Sequence, residues 1–141
     1  MVALPPKDEI AGCEVRLLLA ECRSPSFSSW TLADATTCMQ WMDKALWNRY
    51  DSPAQFGAKG AKSLADIIRA RGQFAGFEKY PEYDQSIVNR IQAMMNIANN
   101  PKDKRHQSFT DHINSANAVS KDASIIEPSP GILAGWRTAG S

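Results

Sequence analysis

Apolar residues in this chain recur at three- and four-residue steps almost from end to end. That spacing predicts helices with one buried face, because a half-buried strand alternates with period two. Ala11, Val15, Leu18, Leu19 and Cys22 mark the first such face. Pro5 and Pro6, followed by Asp8 and Glu9, predict the start of that helix, with proline in the first turn and acids at its positive end. Ser24-Pro25 predicts that it stops at Arg23. Thr31 and Asp34 read as a capping box opening a long second helix over 31–49, striped by Ala35, Cys38, Met39, Met42 and Leu46. Trp41, Ala45 and Trp47 widen its apolar surface, which predicts a central position. Ser63 and Asp66 form a second capping box, opening a short helix to about Ala70 with Gly72 behind it. Asp84 is expected to cap a further helix striped by Ile87, Ile91, Met94, Met95 and Ala98, and Asn99-Asn100-Pro101 ends it. A weaker helix is expected from Thr110 to Val119, after a solvated charged link from Lys102 to Arg105. Beyond a turn cluster at Glu127–Gly131, the apolar run Ile132–Trp136 could dock as a short strand. The expected fold is mainly α, or α+β if that strand forms, in one compact domain over residues 1–141.

Composition narrows the function. A chain of 141 residues fits one domain and can bury a core without staples. Its 16 Lys+Arg against 15 Asp+Glu give a net charge of +1. Phosphate binding needs a basic stripe, so nucleic acid is not expected as the partner. The strongly apolar run Leu17–Ala20 is far too short to span a membrane. Met1–Glu9 lacks the basic and apolar stretches of a secretory leader, so synthesis in the cytoplasm, or export without a cleaved leader, is expected.

Cys13, Cys22 and Cys38 are too few and odd in number for a disulfide framework. Along one helix Cys13 and Cys22 would stand roughly 13 Å apart by rise alone, too far for a bridge. Three buried thiols is the expectation, with a Cys22–Cys38 bridge left open should the first two helices meet there. His106 and His112 lie far from the cysteines in sequence, and neither a metal nor a cofactor is expected.

Two features could carry chemistry. Glu21 follows Leu17, Leu18, Leu19 and Ala20 at the end of the first helix, just before a loop. A carboxyl between apolar neighbours and a loop is where burial raises a pKa and creates a general acid. The bland reading is a solvated glutamate at a helix end. From Gln73 to Pro81, aromatic rings alternate with Gln, Glu and Lys. Such a mixture suits sugar, whose apolar faces stack on rings while its hydroxyls bond amides and carboxylates. The bland reading is that Phe74, Phe77 and Tyr80 pin the loop to the core.

The order of features resembles the SleB-type cell-wall hydrolases, a family of lysozyme-like peptidoglycan lytic transglycosylases. Ala20-Glu21 ends one helix, Asn48-Arg49 ends the next, Leu64, Ile67 and Ile68 form a turn of helix, and Gln73-Phe74 follows. The match covers about residues 15–80. Pro128-Ser129-Pro130-Gly131 is similar to a turn near the family's C-terminus. The resemblance implies a lysozyme-like arrangement with Glu21 as the catalytic acid. It implies a glycan cleft lined by Gln73 and Phe74, to which the aromatic segment adds Glu78 and Tyr80. Asn48 and Arg49 would hold the second helix in place. The family usually reads Ala-Glu-Ala-Arg-Gly-Glu, whereas here Pro25 stands where the second glutamate would be. If a second carboxylate acts, Glu78 and Asp34 are the candidates.

The expected substrate is peptidoglycan, cut between N-acetylmuramic acid and N-acetylglucosamine, by transglycosylation or by muramidase hydrolysis. A leaderless wall-cleaving domain fits an antibacterial toxin acting in a target cell's periplasm, with a cognate immunity protein in the producer. A phage endolysin, or a fragment of a longer chain, also fits. Two other readings compete. A cysteine amidase on stem peptides would need Cys22 or Cys38 beside a histidine. A non-catalytic helical interaction module would use the aromatic segment as an interface.

Overall fold

The computed structural model describes residues 1–51, 60–70 and 74–122, and the fold they form is mainly α. Five helices follow in order: α1 (Ile10–Glu21), α2 (Leu32–Asp51), α3 (Leu64–Arg69), α4 (Gln85–Ala98) and α5 (His106–Lys121). No strand occurs among the described residues. The strand expected at Ile132–Trp136 lies outside them. No helix among them is long and apolar enough to cross a membrane.

α1 is the axis of the assembly. It packs against α2, α4 and α5, and Cys13, Val15, Leu17, Leu18 and Leu19 are all buried. Two ties fix its direction against α2. Cys22 is joined by a disulfide to Cys38, with Cα atoms 6.0 Å apart. At the other end Trp47 Nε1 donates to Glu14 Oε2 at 3.2 Å. The two helices are therefore antiparallel. α2 and α5 run parallel, because Trp30 bonds His112 and Thr36 bonds Ser115, both partners advancing together along their chains. One apolar cluster runs from Cys13 in α1 to Val119 in α5.

Local chemistry accounts for most helix ends. Thr31 Oγ1 accepts from the Asp34 N–H at 3.1 Å, and Ser63 Oγ accepts from the Asp66 N–H at 3.1 Å. Both are the side-chain caps expected of those residues. Asp84, by contrast, acts only through its backbone carbonyl, which takes the Ile87 and Val88 N–H groups. α5 begins four residues before the expected Thr110. The charged stretch ahead of it folds as consecutive turns, with Arg105 paired to Asp103 at 3.1 Å.

α1 starts later than the prolines predict. Pro5 and Pro6 do not form its first turn. They fold back along it, and Arg16 Nη1 donates to the Pro5 carbonyl at 2.8 Å. A Cβ added at Gly12 would overlap the Pro6 carbonyl, so only glycine lets this segment approach. The expectation of three free thiols is also corrected. The antiparallel packing of α1 and α2 brings Cys22 against Cys38, and among the described residues Cys13 alone stays reduced and buried.

Two outcomes test this fold. Replacing Cys22 and Cys38 together by serine should lower stability by about 3 kcal/mol, the denatured-state entropy lost when a loop of that length is closed. Denaturant unfolding of oxidised protein and variant measures it. Gly12→Ala should destabilise by about 1–3 kcal/mol through overpacking, read as a lower Tm with the native circular dichroism spectrum retained.

Candidate functional site

Glu21 sits in the last turn of α1, half-buried, where the helix leaves the core. Burial raises the proton affinity of its carboxyl above the ordinary value of 4.5, against the opposing pull of Arg90 and then Arg49. Neither cation is on α1. Arg90 comes from α4 and donates Nη1 to the Ala20 carbonyl at 3.1 Å. Arg49 is buried near the end of α2, its guanidinium 5.0 Å from the centre of the Phe74 ring. Burial lowers its pKa, and Glu21 is the charge that opposes the shift.

Beside Glu21 lies a cavity of about 600 Å³. Leu19, Met94, Ile97 and Phe109 make its apolar wall, and Glu21, Arg23 and Arg90 supply the charge. The loop from Ser24 to Trp30 closes one side with successive turns, Phe27 N–H to Ser24 O and Trp30 N–H to Phe27 O. Arg23 lies over the exposed Phe27 ring at 5.3 Å. A carboxyl that holds its proton more tightly than an exposed one, in a concave and partly apolar setting, is what a general acid requires.

The aromatic segment meets a different fate. Phe74 is 2% exposed and Tyr80 7% exposed, and both belong to the core cluster. The Tyr80 hydroxyl donates to the Asp8 carbonyl at 3.1 Å, tying the loop to the segment before α1. The rings that were expected to wall a glycan cleft instead pin the loop, since burial leaves them no face to offer a sugar. Glu78 is exposed and turned back on its own loop, accepting from the Gly76 N–H at 2.8 Å. Gln73 lies outside the described residues. Asp34 is exposed in the first turn of α2. The structure thus brings neither Glu78 nor Asp34 into the cavity beside Glu21.

A second acidic feature escaped the sequence reading. Glu14 and Asp43 are 5% and 4% exposed and bond each other between α1 and α2. Desolvation, the bond to Glu14 and the nearby charges of Glu14 and Asp122 drive the Asp43 pKa far above the carboxylate range. Asp43 therefore holds a proton far more tightly than an exposed carboxyl does, and Glu14 also receives the Trp47 indole N–H. Asp43 Oδ1 has no partner. Its position carried a signal. Asp43 lies four residues after Met39 and three before Leu46, on the apolar stripe itself.

The thiols offer no nucleophile. Cys22 and Cys38 are bonded to each other, and burial pushes the Cys13 thiol up to about 11. His112 is fully buried, accepts from Trp30 Nε1 at 3.2 Å, and is held down to about 4 by desolvation, so it stays neutral. A cysteine–histidine pair as the amidase reading needs is therefore not formed by Cys22 or Cys38. Among the described residues no three His, Cys, Asp or Glu side chains are grouped as a metal ion requires. No family model, no curated protein and no solved structure matches the chain.

The acid pair makes stability depend on pH. Asp43 binds its proton more tightly folded than unfolded. Its stabilising contribution is therefore complete below the unfolded value of 3.8 and is lost as pH rises towards the raised folded-state value. Asp43→Asn keeps a donor for Glu14 but removes the titration. It should flatten that decline and exceed the parent in stability by roughly 1 kcal/mol or more at pH 8. Urea unfolding at pH 4 and pH 8 checks this; a variant less stable than the parent at both values would contradict it.

Proposed function

We propose that this protein cleaves the glycan strands of peptidoglycan between N-acetylmuramic acid and N-acetylglucosamine, as a lytic transglycosylase with Glu21 as its acid. The observation that carries the reading is Glu21 itself, a half-buried carboxyl at a cavity wall whose proton affinity is raised by burial. The order of Ala20-Glu21, Asn48-Arg49 and Leu64–Ile68 supports it by resemblance to the SleB-type hydrolases.

The chemistry needs one carboxyl. Protonated Glu21 gives its proton to the oxygen joining muramic acid C1 to the next sugar, and that C1–O bond breaks. The carboxylate left behind takes the proton from the C6 hydroxyl of the same muramic acid. That oxygen attacks C1 and closes a 1,6-anhydro ring. Glu21 ends protonated, ready for another cycle. A hydrolase would instead need a second carboxylate placed to activate water. Arg90 and Arg49 favour the carboxylate of the intermediate stage, so the burial that raises the pKa and the cations that lower it serve opposite halves of the cycle.

The Cys22–Cys38 disulfide supports an oxidising compartment such as a periplasm or an extracellular wall. The antibacterial-effector form of the proposal adds an inhibitor protein in the producing cell. Co-purification of a neighbouring gene's product that blocks cleavage would support it, and unrestrained lysis of producers by periplasmic delivery despite every neighbouring product would defeat it.

Incubation with peptidoglycan sacculi tests the activity. The parent should release anhydro-muropeptides, identified by mass spectrometry, and Glu21→Gln should reduce their rate by at least about a hundredfold. Because the carboxyl must start protonated, kcat/KM should fall as pH rises through a value above 4.5. Reducing-end products would indicate hydrolysis, and equal release by Glu21→Gln would defeat the assignment.

A further inference from the structure

We propose that the cavity beside Glu21 is a carboxylate subsite, in which Arg90 and Arg23 bind a carboxylate carried by the muramic acid unit and so select acid-bearing muramoyl sugars over neutral N-acetylhexosamines. The inference rests on the reading of Glu21 as a peptidoglycan-cleaving acid and names the substrate feature that site selects.

The two arginines reach one cavity from separate elements, Arg90 from α4 and Arg23 from the loop after α1. Each is anchored by one contact to the fold. Arg90 Nη1 is held by the Ala20 carbonyl at 3.1 Å, and Arg23 Nη1 by Ser29 Oγ at 3.4 Å. Stacking over Phe27, which is 53% exposed, steadies Arg23 further. Neither guanidinium is ion-paired to a carboxylate among the described residues, unlike Arg69 with Asp66 and Arg105 with Asp103. A guanidinium presents five donors in a planar fork, so most of those on Arg23 and Arg90 are unspent.

The rest of the cavity suits the same group. Phe27, Ala93 and the half-buried Ile97 offer apolar surface to the methyl and ring faces of a lactyl-substituted sugar, above a floor of buried Leu19, Met94 and Phe109. Its volume of about 600 Å³ lies within the range of small-ligand sites, ~300–1,000 Å³. A bound carboxylate would also act on the chemistry. It neutralises Arg90, whose charge pulls the Glu21 pKa down, so correct substrate raises the proton affinity of the acid that must protonate it.

The carboxylate has two sources in peptidoglycan: the free lactyl group of strands without stem peptides, and the acidic residue of a stem peptide. The test uses the intact 141-residue wild-type chain and ligands with no glycosidic bond to cut. N-acetylmuramic acid, its lactyl carboxamide, an N-acetylmuramoyl dipeptide ending in an acidic residue, and N-acetylglucosamine are titrated by NMR. N-acetylmuramic acid should bind at least about tenfold more tightly than its carboxamide. That ratio should fall to near one in the Arg23→Gln, Arg90→Gln double variant and be partly kept in the double lysine variant, which also controls for folding. Tight binding of the dipeptide as well identifies the stem carboxylate as a source, and its rejection leaves the lactyl group. The inference is overturned if acid and carboxamide bind alike, if neither binds, or if the preference survives in the double glutamine variant. Glu21-dependent cleavage of sacculi without this preference removes the subsite and leaves the activity, whereas the preference without cleavage removes the activity and leaves a binding site.

Discussion

The fold is governed by the burial of α1. From Gly12 to Leu19 only Arg16 escapes full burial, and α2, α4 and α5 pack around this stretch. A helix without a solvent face must place its polar groups at its ends or pair them inside. Arg16 is satisfied by the carbonyls of Pro5 and Gly12, Glu14 by Trp47 and Asp43, and Glu21 emerges at the last turn. Crowding at the other end explains Gly12, where the entering Pro5-Pro6 segment leaves no room for a Cβ.

The two acids of α1 are seven residues apart, so they share one face of the helix at a rise of roughly 10 Å. Their surroundings divide them. Glu14 is enclosed between helices and bonded on two sides, a structural device that holds α2 in register. Glu21 is half-buried, faces cations from two other helices and lines a cavity. The same residue type thus becomes a strut at one point and a cavity-lining acid at the other, because Glu14 is closed in by Trp47 and Asp43 of α2 whereas Glu21 is half-buried beside the cavity. The disulfide from Cys22 to Cys38 lies one residue beyond Glu21 and fixes the end of α1 that carries it.

Legibility followed range. Periodicity and caps identify all five helices, because amphipathic stripes and the side chains of Thr31 and Ser63 act within four residues of chain. The stripe from Ile87 to Ala98 matched α4 nearly to the residue. The aromatic segment misled for a physical reason. Composition suits sugar stacking and loop anchoring equally, and only the burial of Phe74 and Tyr80 separates them. The start of α5 was missed because Arg105 and His106 carry no cap; the turns before them set that end.

By itself the sequence determined a mainly helical chain, a first helix carrying an apolar-flanked Glu21 near its end (placed at Arg23, two residues beyond the observed end), and the absence of any apolar run long enough for a membrane helix. These are properties of spacing along one chain, decided by the 3.6-residue period and by the hydrophobic effect on single faces. The tertiary structure alone decided that Cys22 meets Cys38, that Asp43 shares a buried bond with Glu14, and that the charges of Arg90 and Arg49 act on Glu21. Each joins residues from different helices. Their meeting depends on how α1, α2 and α4 pack side by side, which no local pattern encodes, because electrostatic and covalent partners are chosen by distance in space.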